Sequence, residues 1–467
     1  MELGRFAIRL LVAVFAVAWL GVAAGACWAA GGDGDSQRAK ALYQSAVHHL
    51  ESGRWYARAV ALLEEAVRLD PGNTGYREAL GCAYAARALD LLLLSLSGGV
   101  GGTRADRQAL VASSDIAQIT GPLVKRAVEE LDAAISVAPD VAGYHHTLGW
   151  IYLADAREGL SGDAEAGARA EQQFLEAVRL NPGVARYRRS LGDLYRLMPN
   201  LPGAKAKPSA AASTAPSTPV NPALKMYSDA ATLDPSDPGL WFMLYTYHAQ
   251  GSSQADAAQA QADLQRAWRL DPTNSLYRYL TAWLLTKQAD EADLPPDQKD
   301  ALLSQALLEV QAANNMPDLR VAVYTPAFPR SIAWPLGQLM GATELNLSQP
   351  VNNAFRDIGR RFISLGGDLE RDGSLNDAAV VYEAVLAMGN RLAAAASAMD
   401  GGPGSNLVQL STGLAIQQTA LRPLTELYLR YGAPQQVLAA QQKQRELDYM
   451  AQLLSAEMSP PPTSPSG

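Results

Sequence analysis

The sequence is poor in several residue types, and each shortage excludes a class of protein. Only 2 of its 467 residues are cysteines, Cys27 and Cys82, so it can hold neither a framework of disulfides nor a cysteine-rich zinc site. Aromatic residues make up 7% of the chain. Alternating runs of β-branched residues, which are typical of strands, are scarce, whereas strong helix formers fill the middle of the sequence. We therefore expect an all-helical fold.

Positive charge and catalytic motifs are also scarce. The chain has 39 Lys and Arg against 47 Asp and Glu, a net charge of −8 that argues against nucleic acid as the main partner. The glycine-rich run 98–102 lacks the Lys-Ser/Thr ending of a phosphate loop. The histidine pairs His48/His49 and His145/His146 are adjacent, so their side chains diverge on a helix instead of sharing one ion. We therefore expect no enzyme, no cofactor and no metal site.

Residues 1–30 have the pattern of an export signal. Arg5 and Arg9 precede the uncharged apolar run 10–24, and small residues follow this run. Two alternatives stay open. The apolar stretch is long enough for an uncleaved membrane anchor, and the small residues before Cys27 resemble a bacterial lipoprotein cleavage box, which would lipidate that cysteine. We expect a periplasmic, secreted or envelope-anchored protein that touches a membrane only through this segment.

The body of the sequence repeats one pattern five times. Alanine stands five and twelve residues before each of five prolines, a large apolar residue stands eight before it, and leucine stands nine after it. In three copies glycine follows that leucine. Small residues let two helices cross closely, and a proline ends a helix just beyond its last turn. The five prolines are Pro71, Pro139, Pro182, Pro235 and Pro272.

This pattern resembles the tetratricopeptide repeat. The blocks "EEAVRLDPGNTGYREALGCAY" and "LEAVRLNPGVARYRRSLGDLY" are similar to the family's junction between consecutive repeats. The resemblance implies an all-α fold, a right-handed superhelix (α-solenoid) of helix pairs. A single pair cannot bury its apolar face, so such pairs stack in arrays. The first helix of each pair is called helix A below, and the second is called helix B.

The pattern also predicts how the chain is divided. We expect the repeat array over residues 36–290, degenerate helical repeats over 291–456 and a disordered tail over 459–467. Residues 199–219, rich in Ala, Pro, Ser and Thr, are predicted to be a disordered insertion inside one repeat. Residues 326–350 mix Pro and Gly with apolar residues, and we expect them to be irregular.

The resemblance further implies where a partner binds. In this family the A helices line a concave groove, and the residues four, seven, eleven and fourteen after the proline usually face it. Arg and aromatic residues, which are common at binding hot spots, occupy many of these positions. The candidate groove residues are His146, Trp150, Arg186, Arg189, Asp193, Arg196, Phe242, Tyr279 and Trp283.

The resemblance, together with the export segment, implies a protein-interaction scaffold of the bacterial cell envelope. The three arginines favour a protein or peptide segment that carries acidic and apolar groups, or its terminal carboxylate. Another function is left open, namely a polysaccharide- or solute-binding protein that stacks its ligand on the aromatic residues. A second interpretation of the residues themselves is that the tryptophans pack between repeats and the arginines form ion pairs within the fold.

Overall fold

The structure is a computed structural model. It describes residues 33–53, 55–96, 115–204, 221–251, 253–290, 294–321, 323–324, 326, 328–329, 345–397 and 403–458. The predicted export segment 1–30 with Cys27, the loop 98–102, most of the predicted insertion 199–219 and the predicted tail 459–467 lie outside the described residues. Helices dominate the described part, together with one short 3-10 turn and one isolated parallel bridge, which confirms the all-α prediction.

Two compact units divide the chain. The first contains Met1–Asn181 with Phe328–Leu336, and the second contains Pro182–Ala327 with Gly337–Gly467. Among its described residues the first unit contains three helix pairs, and in each pair the A and B helices lie against one another. Its helices are α1 (Asp33–Glu51), α2 (Tyr56–Leu69), α3 (Thr74–Leu96), α4 (Ala117–Val137), α5 (Ala142–Glu158) and α6 (Ala166–Leu180).

The second unit continues the same arrangement and then departs from it. In the described part of this unit, three A–B pairs are followed by four longer helices, of which the third packs against both of the two before it. The pairs are α7 (Ala185–Leu197) with α8 (Pro222–Leu233), α9 (Pro238–His248) with α10 (Gln254–Leu270), and α11 (Leu276–Ala289) with α12 (Pro296–Asn314). The longer helices are α13 (Leu345–Arg371), α14 (Leu375–Ser397), α15 (Pro403–Arg430) and α16 (Pro434–Met458).

The five repeated prolines mark the ends of five B helices. In each case the residue before the proline donates its backbone N–H to the carbonyl of the repeat alanine four residues earlier, over 2.9 to 3.1 Å. Proline has no N–H with which to extend the ladder, so the helix stops there. The predicted register is thereby confirmed for α2, α4, α6, α8 and α10.

The repeated glycines stand where helix A crosses helix B. A Cβ built on Gly149 in α5 would lie 2.7 Å from the ring of Phe174 in α6, and one built on Gly192 in α7 would lie 2.9 Å from the ring of Tyr227 in α8. Atoms in ordinary contact are about 3.5 to 4 Å apart, so only glycine admits these rings. The larger repeat residue therefore fills the crossing, as the pattern predicts.

The predicted degenerate copies keep part of this crossing. Ala378 and Tyr382 of α14 are buried, and the Tyr382 ring fills the space where a Cβ on Gly366 of α13 would stand. The prediction of an irregular segment over 326–350 is wrong at its end, because α13 starts at Leu345 and Pro350 lies inside it.

Helix α3 is the one described helix that is long and apolar enough to cross a membrane. In its most apolar window 72% of the residues are buried inside the structure. The helix packs against α2 and α4, and its Cys82 is buried, as expected of a small apolar residue. The apolar character of α3 therefore has a packing explanation.

Candidate functional site

Helix α7 holds four of the predicted groove residues on one face, because they are spaced by three or four positions. At the centre of this face lies Asp193, whose side chain is 0% exposed. Its Oδ1 accepts hydrogen bonds from the hydroxyls of Tyr227, in α8, and Tyr324, both at 2.8 Å. Burial raises the pKa of this carboxyl, although Arg196 and Arg189 oppose the shift.

Two of the three predicted arginines have acidic partners inside the fold. Arg189 donates to Asp237 at 2.7 Å, and its guanidinium lies 4.4 Å from the centre of the Tyr324 ring. Arg196 lies 3.8 Å from Asp193. Arg186 is exposed and stacks on Tyr187 at 5.0 Å. The positive face that favoured an acidic partner is thus neutralised internally, apart from Arg186.

Tyr324 belongs to a non-helical stretch that follows α12, called the 318–324 segment below. Its first residue, Asp318, lies beside the turn that precedes α11. Asp318 forms a parallel bridge with Asn274 there, and the Asp318 carbonyl accepts the N–H of Ser275 at 2.9 Å. The buried Asn274 side chain donates to the carbonyl of Arg320 and accepts its N–H, each over 3.0 Å. The Asn274 side-chain amide therefore hydrogen-bonds to both main-chain groups of Arg320, as a neighbouring strand would.

The side chains and backbone of the same segment then reach two more A helices. The Arg320 guanidinium bonds to Asp271 at 2.5 Å, just before α11. The carbonyl of Val323 lies 3.1 Å from the place where a Cβ on Gly239 would stand, so glycine at the start of α9 allows the backbone to approach. Tyr324, 3% exposed, then meets α7. The chain's own segment thus occupies A-helix positions that the sequence assigns to a partner.

In the first unit, His146 and Trp150 of α5 lie in the core. Trp150 is 0% exposed and is held edge-on between the rings of Phe174 at 5.7 Å and Phe328 at 4.7 Å. Its Nε1 donates to Nε2 of His146 at 3.2 Å. Trp150 is therefore packed inside the fold, and its buried indole offers no face on which a sugar can stack.

The predicted residues of α11 are covered by α13. Tyr279 is buried, its hydroxyl donates to Asn314 at 2.7 Å, and its ring lies 4.8 Å from that of Phe355. Trp283 is half-buried and donates to Asp357 at 3.2 Å. Both Phe355 and Asp357 lie on α13. This part of the predicted groove is therefore an internal helix–helix contact.

Phe242 of α9 is also buried, beside Tyr245 at 5.9 Å.

Within the described ranges, no group of three His, Cys, Asp or Glu side chains is placed to hold a metal ion. His145 illustrates how one such residue is used structurally, because its ring nitrogens contact Gln173 at 2.7 Å and the carbonyl of Pro139 at 3.2 Å.

Sequence reasoning missed the residues that hold the 318–324 segment. Asn274 carries a visible signal, since "DPTN" places it where "DPGN" places Asn73, and both asparagines cap the following A helix. That signal predicts the cap and not the additional pair of bonds to Arg320. Tyr324 lies outside any repeat, so no periodicity marks it.

Comparison with known proteins gives remote likenesses only. No family model matches the chain, and no curated protein matches it. A solved tetratricopeptide repeat protein from Parabacteroides merdae is 14% identical and covers 62% of this chain and 96% of its own, with a TM-score of 0.24.

Two further solved structures cover more of the chain. Yeast Tom70 is 12% identical over 90% of this chain and 89% of its own, with a TM-score of 0.29. The P58(IPK) tetratricopeptide-repeat domain is 17% identical over 91% and 99%, with a TM-score of 0.18.

Proposed function

We propose that this protein is a non-enzymatic interaction scaffold, or adaptor, of the bacterial cell envelope, and that it binds a segment of a partner protein along the A helices of its second unit. One observation supports this most directly. The A helices α7 and α9 and the turn before α11 already hold a segment of the chain itself, through main-chain bonds from Asn274, side-chain contacts to Asp193 and Asp271, and a close backbone approach to Gly239. Main-chain bonds supply affinity and side-chain pockets supply specificity when an extended peptide binds.

The site has features of recognition rather than of chemistry. Arg189 and Tyr324 meet as a cation–π pair over a buried carboxylate, and Arg with Tyr is a combination enriched at binding hot spots. Glycine at 239 lets a backbone approach closely. These parts bind and orient a peptide.

The envelope location rests on residues 1–30, with their basic start, apolar centre and small-residue end. Cell fractionation followed by intact-mass measurement of the recovered chain tests it. Recovery in the periplasm or membrane fraction is expected. A mass that starts after the small residues indicates cleavage, a diacylated Cys27 indicates lipidation, and an unshortened chain in the membrane indicates an anchor. Recovery of an unshortened chain from the cytoplasm would overturn the location.

The binding function is tested by affinity capture from envelope extract. The full chain is compared with Arg186→Glu, which reverses an exposed charge on α7, and with Arg269→Glu, which reverses an exposed charge on α10. We expect one protein to be retained by the full chain and by the α10 variant, and to be lost from the α7 variant. Equal retention by all three would place the partner elsewhere, and retention of a polysaccharide instead would support the stacking alternative.

A further inference from the structure

The 318–324 segment is bound in the manner of a separate peptide. Its described residues belong to no helix. Within the segment, Arg320 pairs with Asp318 at 2.9 Å and Val323 donates its N–H to the carbonyl of Val321 at 3.0 Å. The contacts that attach it to the rest of the second unit are made with residues far away in the chain. Asn274, 46 residues before Arg320, makes two bonds to its main chain, and Asp193, 131 residues before Tyr324, accepts that hydroxyl. Contacts of this kind depend on the segment's chemistry and not on its covalent attachment.

We propose that the 318–324 segment is an internal ligand, and that the partner presents a segment with a basic residue four positions before a tyrosine, which competes for the same contacts. This inference rests on the proposed function, because it names the chemistry of the partner that the A helices bind. Its template is the spacing of Arg320 and Tyr324.

The two side-chain sites of this template are chemically distinct. The basic site is formed by Asp271 and the hydroxyl of Thr273, which lie 2.5 and 3.2 Å from Nη2 of Arg320. The tyrosine site is formed by Asp193, which accepts the hydrogen bond of the Tyr324 hydroxyl, and by Arg189, whose guanidinium stacks on the face of the ring. Between the two sites the backbone passes Gly239. An arginine and a tyrosine at this spacing therefore satisfy both sites at once.

The internal ligand leaves some bonds unmade. Oδ2 of Asp193 and Nε of Arg189 are buried, and neither has a hydrogen-bond partner in the part of the chain that the structure describes. Buried polar groups without partners are costly, and native proteins leave few of them. A partner segment that brings a donor to Asp193 and an acceptor to Arg189 therefore gains contacts that the chain's own segment does not make.

Attachment to α12 protects the internal ligand from weak competitors. A short connection keeps a segment at an effective concentration on the order of millimolar near its site. The unaltered chain should therefore bind a free copy of its own segment poorly, and weakening the internal copy should expose the face.

A competition experiment on the full chain tests this inference. The probe is a fluorescein-labelled synthetic peptide with the sequence of residues 316–329, and its binding is followed by fluorescence anisotropy. A release variant carries Arg320→Ala and Tyr324→Ala, which remove both side-chain anchors of the internal copy. The matched control variant is Arg269→Ala, an exposed arginine on α10. A second peptide has alanine in place of its tyrosine.

We expect the release variant to bind the probe at least tenfold more tightly than the unaltered chain and the control variant do. We also expect the tyrosine-free peptide to bind the release variant at least tenfold more weakly than the probe. Equal binding of the probe to all three proteins, or no binding to a release variant that keeps its helical circular dichroism, would overturn the inference. If the release variant does not keep that signal, Tyr324→Phe replaces it, with a severalfold tightening expected and no tightening as the overturning result.

Failure of this inference is distinguishable from failure of the proposed function. If the release variant binds the probe but the capture experiment finds no partner that depends on α7, the internal-ligand inference stands and the scaffold function fails. Capture of a partner through α7, with no probe binding by any variant, leaves the scaffold function and shows that the 318–324 segment is a fixed part of the fold.

Discussion

Replacing Gly149 by alanine should destabilise the first unit, although alanine is the better helix former. A Cβ at this position would lie 2.7 Å from two ring carbons of Phe174, about 1 Å closer than ordinary van der Waals contact. The ring cannot retreat easily, because it is buried and lies against Trp150 and His146 at centroid distances of 5.7 and 5.9 Å. Overpacking of this kind costs about 1 to 3 kcal/mol.

Against that cost stands the helix propensity of alanine, which exceeds that of glycine by about 1 kcal/mol. Since an overlap of about 1 Å belongs at the upper end of the overpacking range, we expect a net loss of about 1 to 2 kcal/mol in the free energy of unfolding. Gly143→Ala, in the same helix, is the matched control. Its Cβ would meet nothing nearer than Val141 at 3.9 Å, so this change should leave α5 equally or more stable.

Native-state hydrogen exchange of the α5 amides is the suitable assay, because it reports the opening free energy of this unit separately from the second. The Gly149→Ala penalty should also shrink when Phe174 is replaced by leucine, since the two changes share one contact. If Gly149→Ala proves as stable as Gly143→Ala, the glycine is not required by the crossing of helices A and B, and the packing argument fails.

Three further changes test the second unit and the surface. Because burial raises the pKa of Asp193 above 3.8, its contribution to stability is fully present at low pH and is lost as pH rises through the raised value; Asp193→Asn should remove that slope from urea unfolding followed upward from about pH 4. Asn274→Ala should speed hydrogen exchange at the Arg320 amide by about tenfold or more, because both main-chain bonds are lost, whereas Asn73→Ala should leave that amide unchanged. Arg179→Ala, which breaks an exposed ion pair with Glu176, should leave the melting temperature unchanged.

The helix pairs could be predicted because their determinants are local. A proline fixes where a B helix stops, and the alanine five residues before it supplies the last carbonyl, so both lie within five residues of one another. The A–B crossing at Gly192 and Tyr227 was also readable, since small and large residues recur at fixed distances from the prolines. Repetition made these signals visible five times over.

The site could be predicted only in part, because what covers the A helices comes from distant parts of the chain. The sequence placed Arg189 and Asp193 on one face of α7, and both do contribute to the candidate site. It could not show that Tyr324 lies against them, since 131 residues separate Tyr324 from Asp193. Nor could it show that Phe355 of α13 covers Tyr279, because α13 keeps only a degenerate repeat pattern.

The central claim is that a partner binds the A helices of the second unit, and site-specific photocrosslinking in living cells tests it most directly. A photoreactive amino acid replaces the exposed Arg186 on α7 in one protein and the exposed Arg269 on α10 in another. We predict that the first protein crosslinks to one partner, through a segment that mass spectrometry maps to a basic residue and a tyrosine four positions later, and that the second does not. Equal crosslinking from both helices, or crosslinking from α10 alone, would contradict the account.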